Sequence, residues 1–313
     1  MTEGIPYFDA HCDTISRCME AGEGMRKNCG HLDFARLAKY GTAGAVFAIF
    51  HDAAKPPADG MLAEFRRQCD FFTREVEKNA DLVTHCRTAA QIRAAHEAGR
   101  AAALLSVEGA ELLACDPELL FEAHARGVRA VNLTWNRANA LSGSNVEDAQ
   151  RGLSDRGRAF VRAAEALGVF VDVSHLSDAG FWDVVRMTHK PILATHSNAR
   201  TVCPHTRNLT DDMFRAIVET GGAAGVNLYS RFVAPEGAAA MEDIVRHVDR
   251  FMELGGEKSV CIGADFDGCD ALAGGIGGVS DMPLLWEALA RRGYTREVLE
   301  DIFAGNLLRV LEM

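Results

Sequence analysis

The chain has 313 residues, 48% of them hydrophobic, which is enough to bury a large core. Its formal net charge of −11 argues against nucleic acid or an anionic membrane surface as a partner. The nine cysteines form no CxxC pair, and without a secretory leader or a ~20-residue apolar span we predict a reduced, cytoplasmic protein with no membrane anchor.

Short apolar runs alternate with longer amphipathic stretches along the whole chain, which is typical of repeated strand–helix units. In chain order, the predicted strands are 7–10, 44–49, 101–107, 130–133, 169–173, 191–194, 223–227 and 260–263. The predicted helices are 60–78, 155–167, 178–187, 211–219 and 241–254, with extra or outer helices at 88–98 and 283–292. This order predicts one α/β domain, 1–313, folded as a single (β/α)8 TIM barrel with extra helices; a doubly wound open sheet has the same local pattern.

Polar residues stand where the predicted strands end, and in a barrel these ends share one face. His11 and Asp13 follow the first strand two positions apart, so both should point to one side, with Cys12 facing away. Further strand ends carry Glu108, His175, His196, Asp265 and Asp267. Imidazole and carboxylate groups suit zinc, and also manganese or iron, so the sequence predicts a metal site here.

The other histidines fall in predicted helices or loops, where a structural role is the simpler interpretation. Two of them, His51 and His205, lie near the loops of the catalytic face, and for these a contact to substrate or a role behind the ligands stays open.

The strand-end residues belong to short motifs that resemble those of the membrane (renal) dipeptidase family, peptidase family M19, within the amidohydrolase-like metal-dependent hydrolases. The matching motifs are Asp9-Ala-His11-Cys-Asp13, Ser106-Val-Glu108-Gly, Val171-Asp-Val-Ser-His175, Thr195-His196-Ser197, Arg207-Asn208 and Gly263-Ala-Asp265-Phe-Asp267-Gly268. Each motif is weak alone, but they occur in the family's order, and supporting blocks continue to Val310.

The resemblance implies a zinc-dependent dipeptidase with two zinc ions per chain, or manganese or another divalent metal. His11 and Asp13 would bind the first ion, His175 and His196 the second, and Glu108 would bridge both. A metal-bridging hydroxide would attack the peptide bond of a dipeptide, and a C-terminal D-residue would be accepted as it is in many relatives. The resemblance also allows a homodimer.

The resemblance assigns further roles around the metal ions. Arg207 would bind the free carboxylate of the substrate, although an ion pair with Asp211 or Asp212 is the alternative. Asp265 would transfer protons, with Asp267 as the nearby competitor. Tyr229, and Phe50 at another strand end, are candidate pocket residues or packing residues.

One stretch departs from the family. Animal members carry a histidine after the Leu-Thr of the fourth strand, whereas this chain has Leu133-Thr134-Trp135-Asn136. We therefore expect Asn136 or Asn139 to donate a hydrogen bond to the substrate, unless the metal alone suffices. Trp135 is as readily a packing residue as a substrate contact.

Two rival interpretations remain at this stage. One is another hydrolase of the superfamily, such as a deaminase, a lactonase or an N-acyl-amino-acid deacylase, but such deaminases carry a histidine where this chain has Asp13. The other is a non-catalytic metal-binding barrel, which the complete set of ligands disfavours.

Overall fold

The computed structural model describes residues 4–235 and 239–313. Its strands are β1 Tyr7–Cys12, β2 Ala43–Phe50, β3 Val83–His85, β4 Ala101–Glu108, β5 Val128–Asn132, β6 Phe170–Asp172, β7 Leu193–Ala194, β8 Ala223–Val226 and β9 Val260–Ile262. Its α-helices are α1 Thr14–Ala21, α2 Phe34–Leu37, α3 Met61–Lys78, α4 Ala89–Glu97, α5 Leu119–Ala125, α6 Asp155–Leu167, α7 Asp178–Met187, α8 Asp211–Glu219, α9 Ser230–Val233, α10 Met241–Glu253, α11 Met282–Arg292, α12 Arg296–Glu300 and α13 Asn306–Leu311. A π-helical turn, Asp301–Gly305, joins the last two helices.

The strands form a closed parallel barrel. Neighbouring strands follow the order β2-β1-β9-β8-β7-β6-β5-β4, and pairing of β2 with β4 closes the ring. The predicted TIM barrel is therefore confirmed, and the open sheet is excluded. Strand β3 lies outside the ring, because it pairs only with the first residues of β4, from Val83↔Ala101 to His85↔Ala103.

Helix α6 illustrates why the helix predictions were accurate. The side chain of Ser154 accepts a hydrogen bond from the backbone N–H of Gly157, which caps the first turn. Gly168 adopts φ 68° directly after the helix, a left-handed conformation that glycine takes at little cost. Between these ends Phe160 and Val161 are buried against the barrel.

The inside of the barrel is apolar at one end and polar at the other. Phe8, Val46, Leu104 and Phe170 belong to one buried cluster, which Leu307 of α13 helps to close. Two to four positions further along the same strands, the inward-facing residues are polar, for example Ser106 and Glu108 on β4 and Asp172 on β6. The site therefore lies at the carboxyl ends of the strands, as in other barrels of this kind.

A bulge in β1 turns its last residues toward this polar end. The pairing with β2 shifts between Asp9 and Cys12, so one extra residue is inserted into β1. Phe8 belongs to the inner apolar cluster, yet His11, three residues later, faces Glu108 across the barrel. Residues three apart in a regular strand point to opposite sides, so the bulge is what brings His11 inward.

No helix within residues 4–235 and 239–313 is long and apolar enough to cross a membrane. Every cysteine lies in this described part of the chain, and all of them are free thiols, as predicted.

Candidate active site

The predicted metal ligands meet at the polar end of the barrel. Three groups, each of three side chains, could hold a metal ion. Within each group the possible ligand atoms lie within 4.8 Å of one another. These groups are His11, Asp13 and Glu108; Glu108, His175 and His196; and His11, His196 and Asp265. Residues that are far apart in the sequence thus converge on one buried cluster, in which Glu108 belongs to two of the three groups.

The two carboxylate oxygens of Glu108 face different sets of side chains. Its Oε1 lies 2.9 Å from Nε2 of His175 and 3.3 Å from Nε2 of His196. Its Oε2 lies 3.7 Å from Nε2 of His11, which in turn lies 3.3 Å from Oδ2 of Asp13. The carboxylate thus stands between two separate groups of ligand atoms.

The charges in the cluster fit bound cations. Burial alone would lower the pKa of His11, but the carboxylates of Glu108 and Asp13 outweigh it and raise the pKa to about 10. Both ring nitrogens of His11 and Oδ1 of Asp13 are buried without a hydrogen-bond partner among the described residues. Buried polar atoms rarely stay unpartnered, so this excess of negative charge and free donor atoms suits divalent metal ions.

The other two imidazoles of the cluster are uncharged. Burial lowers the pKa of His175 and of His196 well below the ordinary value for histidine, so both rings are neutral near pH 7. Nδ1 of His175 donates to Oδ1 of Asn136 at 2.9 Å, and Nδ1 of His196 lies 2.8 Å from Oγ1 of Thr195. In each ring the second nitrogen, Nε2, faces Oε1 of Glu108, and the two Nε2 atoms lie 3.0 Å apart. With the ring hydrogen on Nδ1, both Nε2 lone pairs point to the place where one metal ion could bind.

Asn136 is hydrogen-bonded to His175, a contact that the sequence did not predict. We expected its amide to meet the substrate, and the residue does line the cavity above the cluster. Its oxygen, however, accepts the hydrogen bond from His175 and fixes the orientation of that ring. Asn139 is used within its own loop, where Nδ2 donates to the backbone oxygen of Leu133.

The two competing aspartates have different surroundings. Asp265 lies in the cluster with His11 and His196, and its Oδ2 accepts a hydrogen bond from Nδ2 of Asn227 at 3.0 Å. Burial raises its pKa above the ordinary value for aspartate. Asp267 accepts hydrogen bonds from the hydroxyl of Thr14 and the backbone N–H of His31, both at 2.6 Å, and so serves to join loops.

Backbone strain is concentrated in this site. His175, Asp265 and Asp267 have φ values of 69°, 60° and 67°, in the left-handed region that residues with a Cβ seldom occupy. Such conformations cost about 1–3 kcal/mol each and persist where the surrounding structure requires them. Here they direct an imidazole and a carboxylate into the cluster.

Arg207 is buried behind the cluster, 4% exposed. Its guanidinium donates to the backbone oxygen of His196 at 3.3 Å and lies over the ring of Phe232, 5.4 Å from the ring centre. Within the described residues no carboxylate lies within ion-pair distance of it. The alternative pairing with α8 does not occur, because Asp211 pairs with Arg250 and Asp212 pairs with Arg215.

A cavity of about 250 Å³ opens above the cluster. Phe50 and Trp135 form one wall, with ring centres 4.9 Å apart, and Tyr229 and Phe232 form another, with ring centres 4.8 Å apart. Trp135 therefore packs against a neighbour and also faces the cavity, and Tyr229 lies on the cavity wall where a pocket residue was predicted.

The remaining histidines mostly have structural contacts. His247 is buried, accepting from the backbone N–H of Ala199 and donating to the backbone oxygen of Val233. His205 accepts from the backbone N–H of Arg207, which gives it the supporting position that the sequence left open. His31 also has a structural contact, because it is paired with Asp267 beside the cluster, and no sequence signal pointed to this long-range pair.

The family model for membrane dipeptidase (peptidase family M19) matches residues 1–313. The chain belongs to this family. Among curated relatives, the dipeptidase aclJ of Aspergillus oryzae is 32% identical over 90% of this chain and 69% of its own length. A protein of Klebsiella pneumoniae, described as an uncharacterized protein in the pqqA 5′ region, is 36% identical over 72% of this chain and 87% of its own length.

Solved structures agree with this dipeptidase assignment. A metallopeptidase from Rhodobacter sphaeroides, bound to a phosphinate mimic of the dipeptide L-Ala-D-Ala, superposes with a TM-score of 0.89 at 28% identity over 99% of both chains. Dipeptidase AC, a metallopeptidase of family M19, gives a TM-score of 0.90 at 30% identity over 99% of this chain and 98% of its own. The family prediction is confirmed, and the protein is a metal-dependent dipeptidase, hence a hydrolase.

Proposed function

We propose that this dipeptidase binds two zinc ions, one on each side of Glu108, and hydrolyses free dipeptides, including those with a C-terminal D-residue. The observation that carries the proposal is the division of the Glu108 carboxylate, because one oxygen faces His175 and His196 and the other faces His11. A carboxylate placed in this way is suited to bridge two cations.

The proposed ligands are His11 and Asp13 for one ion, His175 and His196 for the other, and Glu108 for both. Nitrogen and oxygen donors of this kind are typical of zinc, and manganese is the alternative. When bound, such ions polarise a carbonyl group and make a water molecule acidic enough to serve as the nucleophile at neutral pH.

Asp265 is proposed to handle the protons. Its carboxylate lies beside the ligand atoms of His11 and His196, and the amide of Asn227 holds it in place. Its raised pKa keeps it able to accept a proton from the attacking water and then donate it to the leaving amine. No serine or cysteine nucleophile is required in this scheme.

Arg207 is proposed to bind the free carboxylate of the substrate, which limits the enzyme to short peptides. A buried guanidinium is costly without a negative partner, and a dipeptide carboxylate would supply one. Its position directly behind His196 supports this role, since substrate carboxylate and reacting carbonyl must lie close together. Tyr229 and Asn136 are proposed to contact the substrate from the cavity wall.

Acceptance of a C-terminal D-residue is proposed on two grounds. The relative from Rhodobacter sphaeroides was solved with a mimic of L-Ala-D-Ala. In this chain the cavity of about 250 Å³ has two aromatic walls, formed by Phe50 with Trp135 and by Tyr229 with Phe232, and either wall offers apolar contact to a C-terminal side chain. The cytoplasmic location and the homodimer stay predictions.

The test combines metal analysis with a panel of substrates. We expect two zinc ions per chain, loss of turnover with a chelator and recovery with zinc or manganese, and hydrolysis of L-Ala-L-Ala and L-Ala-D-Ala but not of a tripeptide. Glu108→Gln keeps the shape but removes the bridging charge, so it should bind fewer than two ions and lose most activity, whereas the matched control Glu118→Gln on the surface should not. A Glu108→Gln variant with full metal content and full activity would contradict the proposal.

A further inference from the structure

The two imidazoles on the Oε1 side of Glu108 are supported in different ways. Behind His175 lies the neutral amide of Asn136, on a loop that borders the cavity. Behind His196 lies the hydroxyl of Thr195, and behind that hydroxyl lies the carboxylate of Asp172. One ring is therefore backed by a neutral group and the other by a negative charge.

The direction of the hydrogen bonds around Thr195 follows from counting protons. The hydroxyl has one proton, and it donates that proton to Oδ2 of Asp172. It can then only accept from His196, so Nδ1 of that ring carries the hydrogen and Nε2 keeps its lone pair. Oδ1 of Asp172 accepts two backbone N–H groups, from Ser174 at 2.9 Å and from Thr195 at 3.1 Å, which hold the carboxylate in this orientation.

We propose that Asp172 and Thr195 are positioning residues that fix His196 as a metal ligand and strengthen it as an electron donor. The proposal rests on the ligand role of His196 proposed above. A carboxylate that is linked to the ring through a hydroxyl polarises the Nδ1–H bond and leaves more electron density on Nε2. A carboxylate that accepts directly from Nδ1–H has the same effect on other metal-binding histidines. The neutral Asn136 gives His175 its orientation but lends it no charge.

The packing around Thr195 holds this arrangement rigidly. Asp172, Thr195 and His196 are each no more than 1% exposed, so water does not compete for their hydrogen bonds. Gly225 and Gly263 lie against the carbonyl oxygen of Thr195, and a Cβ on either glycine would overlap with that oxygen. The neighbouring strands thus fit closely around the Thr195 peptide and fix the direction of its side chain.

The inference predicts an unequal effect on the two metal sites. Loss of the Thr195 hydroxyl should weaken binding of the ion held by His175 and His196. The ion held by His11 and Asp13 should bind as before, because the Thr195 hydroxyl is bonded to Asp172 and His196 and not to either of those residues.

The experiment compares Thr195→Val, which keeps the shape without the hydroxyl, with Thr195→Ser, which keeps the hydroxyl. Full-length protein is stripped of metal and titrated with cobalt(II), whose absorption spectrum reports each bound ion, and zinc affinities are measured by competition. Thr195→Val should weaken one of the two sites by about 10–100-fold, the usual cost of losing such a supporting contact. Thr195→Ser should stay within about 3-fold of the wild type, well short of that cost.

Equal affinities in Thr195→Val and the wild type would overturn the inference, as would equal weakening of both variants. Should Thr195→Val fail to fold, Asp172→Asn decides the question, since an amide oxygen still accepts the backbone N–H groups without the charge. Weakening of one site supports the inference, and unchanged binding overturns it. A wild type that binds fewer than two ions would instead contradict the proposed function.

Discussion

Asp267 and His31 hold each other by two hydrogen bonds, although 236 positions separate them. The backbone N–H of His31 donates to Oδ1 of Asp267 at 2.6 Å, and the backbone N–H of Asp267 donates to Nδ1 of His31 at 2.9 Å. This pair fastens the strained loop after β9 to the segment before α2. Asp267 is thereby occupied, and Asp265 is left as the carboxylate that faces the cluster.

Substitution of the two aspartates should separate their roles. Asp265→Asn should lower kcat by ~10²–10⁴-fold, because an amide cannot transfer the proton, while metal content stays near that of the wild type. Asp267→Asn should mainly lower the free energy of unfolding, by about 1–3 kcal/mol, because it weakens the loop contacts. Steady-state kinetics, metal analysis and urea unfolding measure these effects. An equal loss of kcat in Asp267→Asn at full metal content would transfer the proton-handling role to Asp267.

Removal of the Arg207 guanidinium should affect binding more than chemistry. A charge-assisted hydrogen bond contributes about 1.5–3 kcal/mol, so Arg207→Ala should raise KM for a dipeptide by roughly 10–150-fold. The dipeptide amide has no terminal carboxylate, so the variant should lose little further activity toward it. Arg250→Gln is the matched control, since Arg250 pairs with Asp211 away from the cavity. If dipeptide and amide suffered equally, Arg207 would not be the carboxylate contact.

The sequence was sufficient to predict the barrel and the residues at its polar end. The strand that ends at Glu108 is a visible apolar run, and the polar residue closes it. Strand β3 was not predicted, because three residues are too few to show the alternation of apolar and polar side chains that marks a strand. The bulge in β1 was not predicted either, because the extra residue becomes apparent only from the pairing of β1 with β2.

Contacts behind the proposed ligands could not be predicted from the sequence. Asn136 was predicted near the substrate, but its hydrogen bond to His175 depends on how two loops, 39 positions apart, come together. In the sequence Asp172 is only one polar residue in an apolar strand, and its partner Thr195 follows directly after the next strand, β7. Strand patterns indicate which face a residue occupies, whereas its partners depend on packing between strands.

Gly268 provides a steric test of the crowded site. A Cβ at this position would overlap with Oδ2 of Asp13 and Oδ1 of Asp265. Gly268→Ala should therefore displace these carboxylates, lower the metal content and reduce kcat by at least ~10²-fold, since small displacements of catalytic groups have effects of this size. The control is Gly41→Ala, where a Cβ would meet its nearest neighbour at an ordinary 3.6 Å. Normal metal content and activity in Gly268→Ala would mean that the loop moves aside freely.

His247 should make the fold sensitive to acid. Burial is the main cause that lowers the pKa of His247 from 6.5 to about 4, and the hydrogen bond that the ring donates to the backbone oxygen of Val233 offsets only part of this effect. Between these two values the unfolded chain binds a proton that the folded chain does not, so stability is present above pH 6.5 and falls as the pH approaches 4. This one residue should cost about 2 kcal/mol of unfolding free energy between about pH 7.5 and about pH 4.5.

His247→Gln removes the titrating group and leaves an amide that can take part in the same hydrogen bonds. The variant should be less stable than the wild type near neutrality, but it should lose about 2 kcal/mol less between the two pH values. Urea unfolding of both proteins at each pH gives the difference, in which the effect of acid on metal binding cancels. His124→Gln on an exposed part of α5 should behave like the wild type. A pH dependence in His247→Gln as steep as that of the wild type would show that other buried groups, such as His85 with its pKa lowered to about 4, carry the acid sensitivity instead.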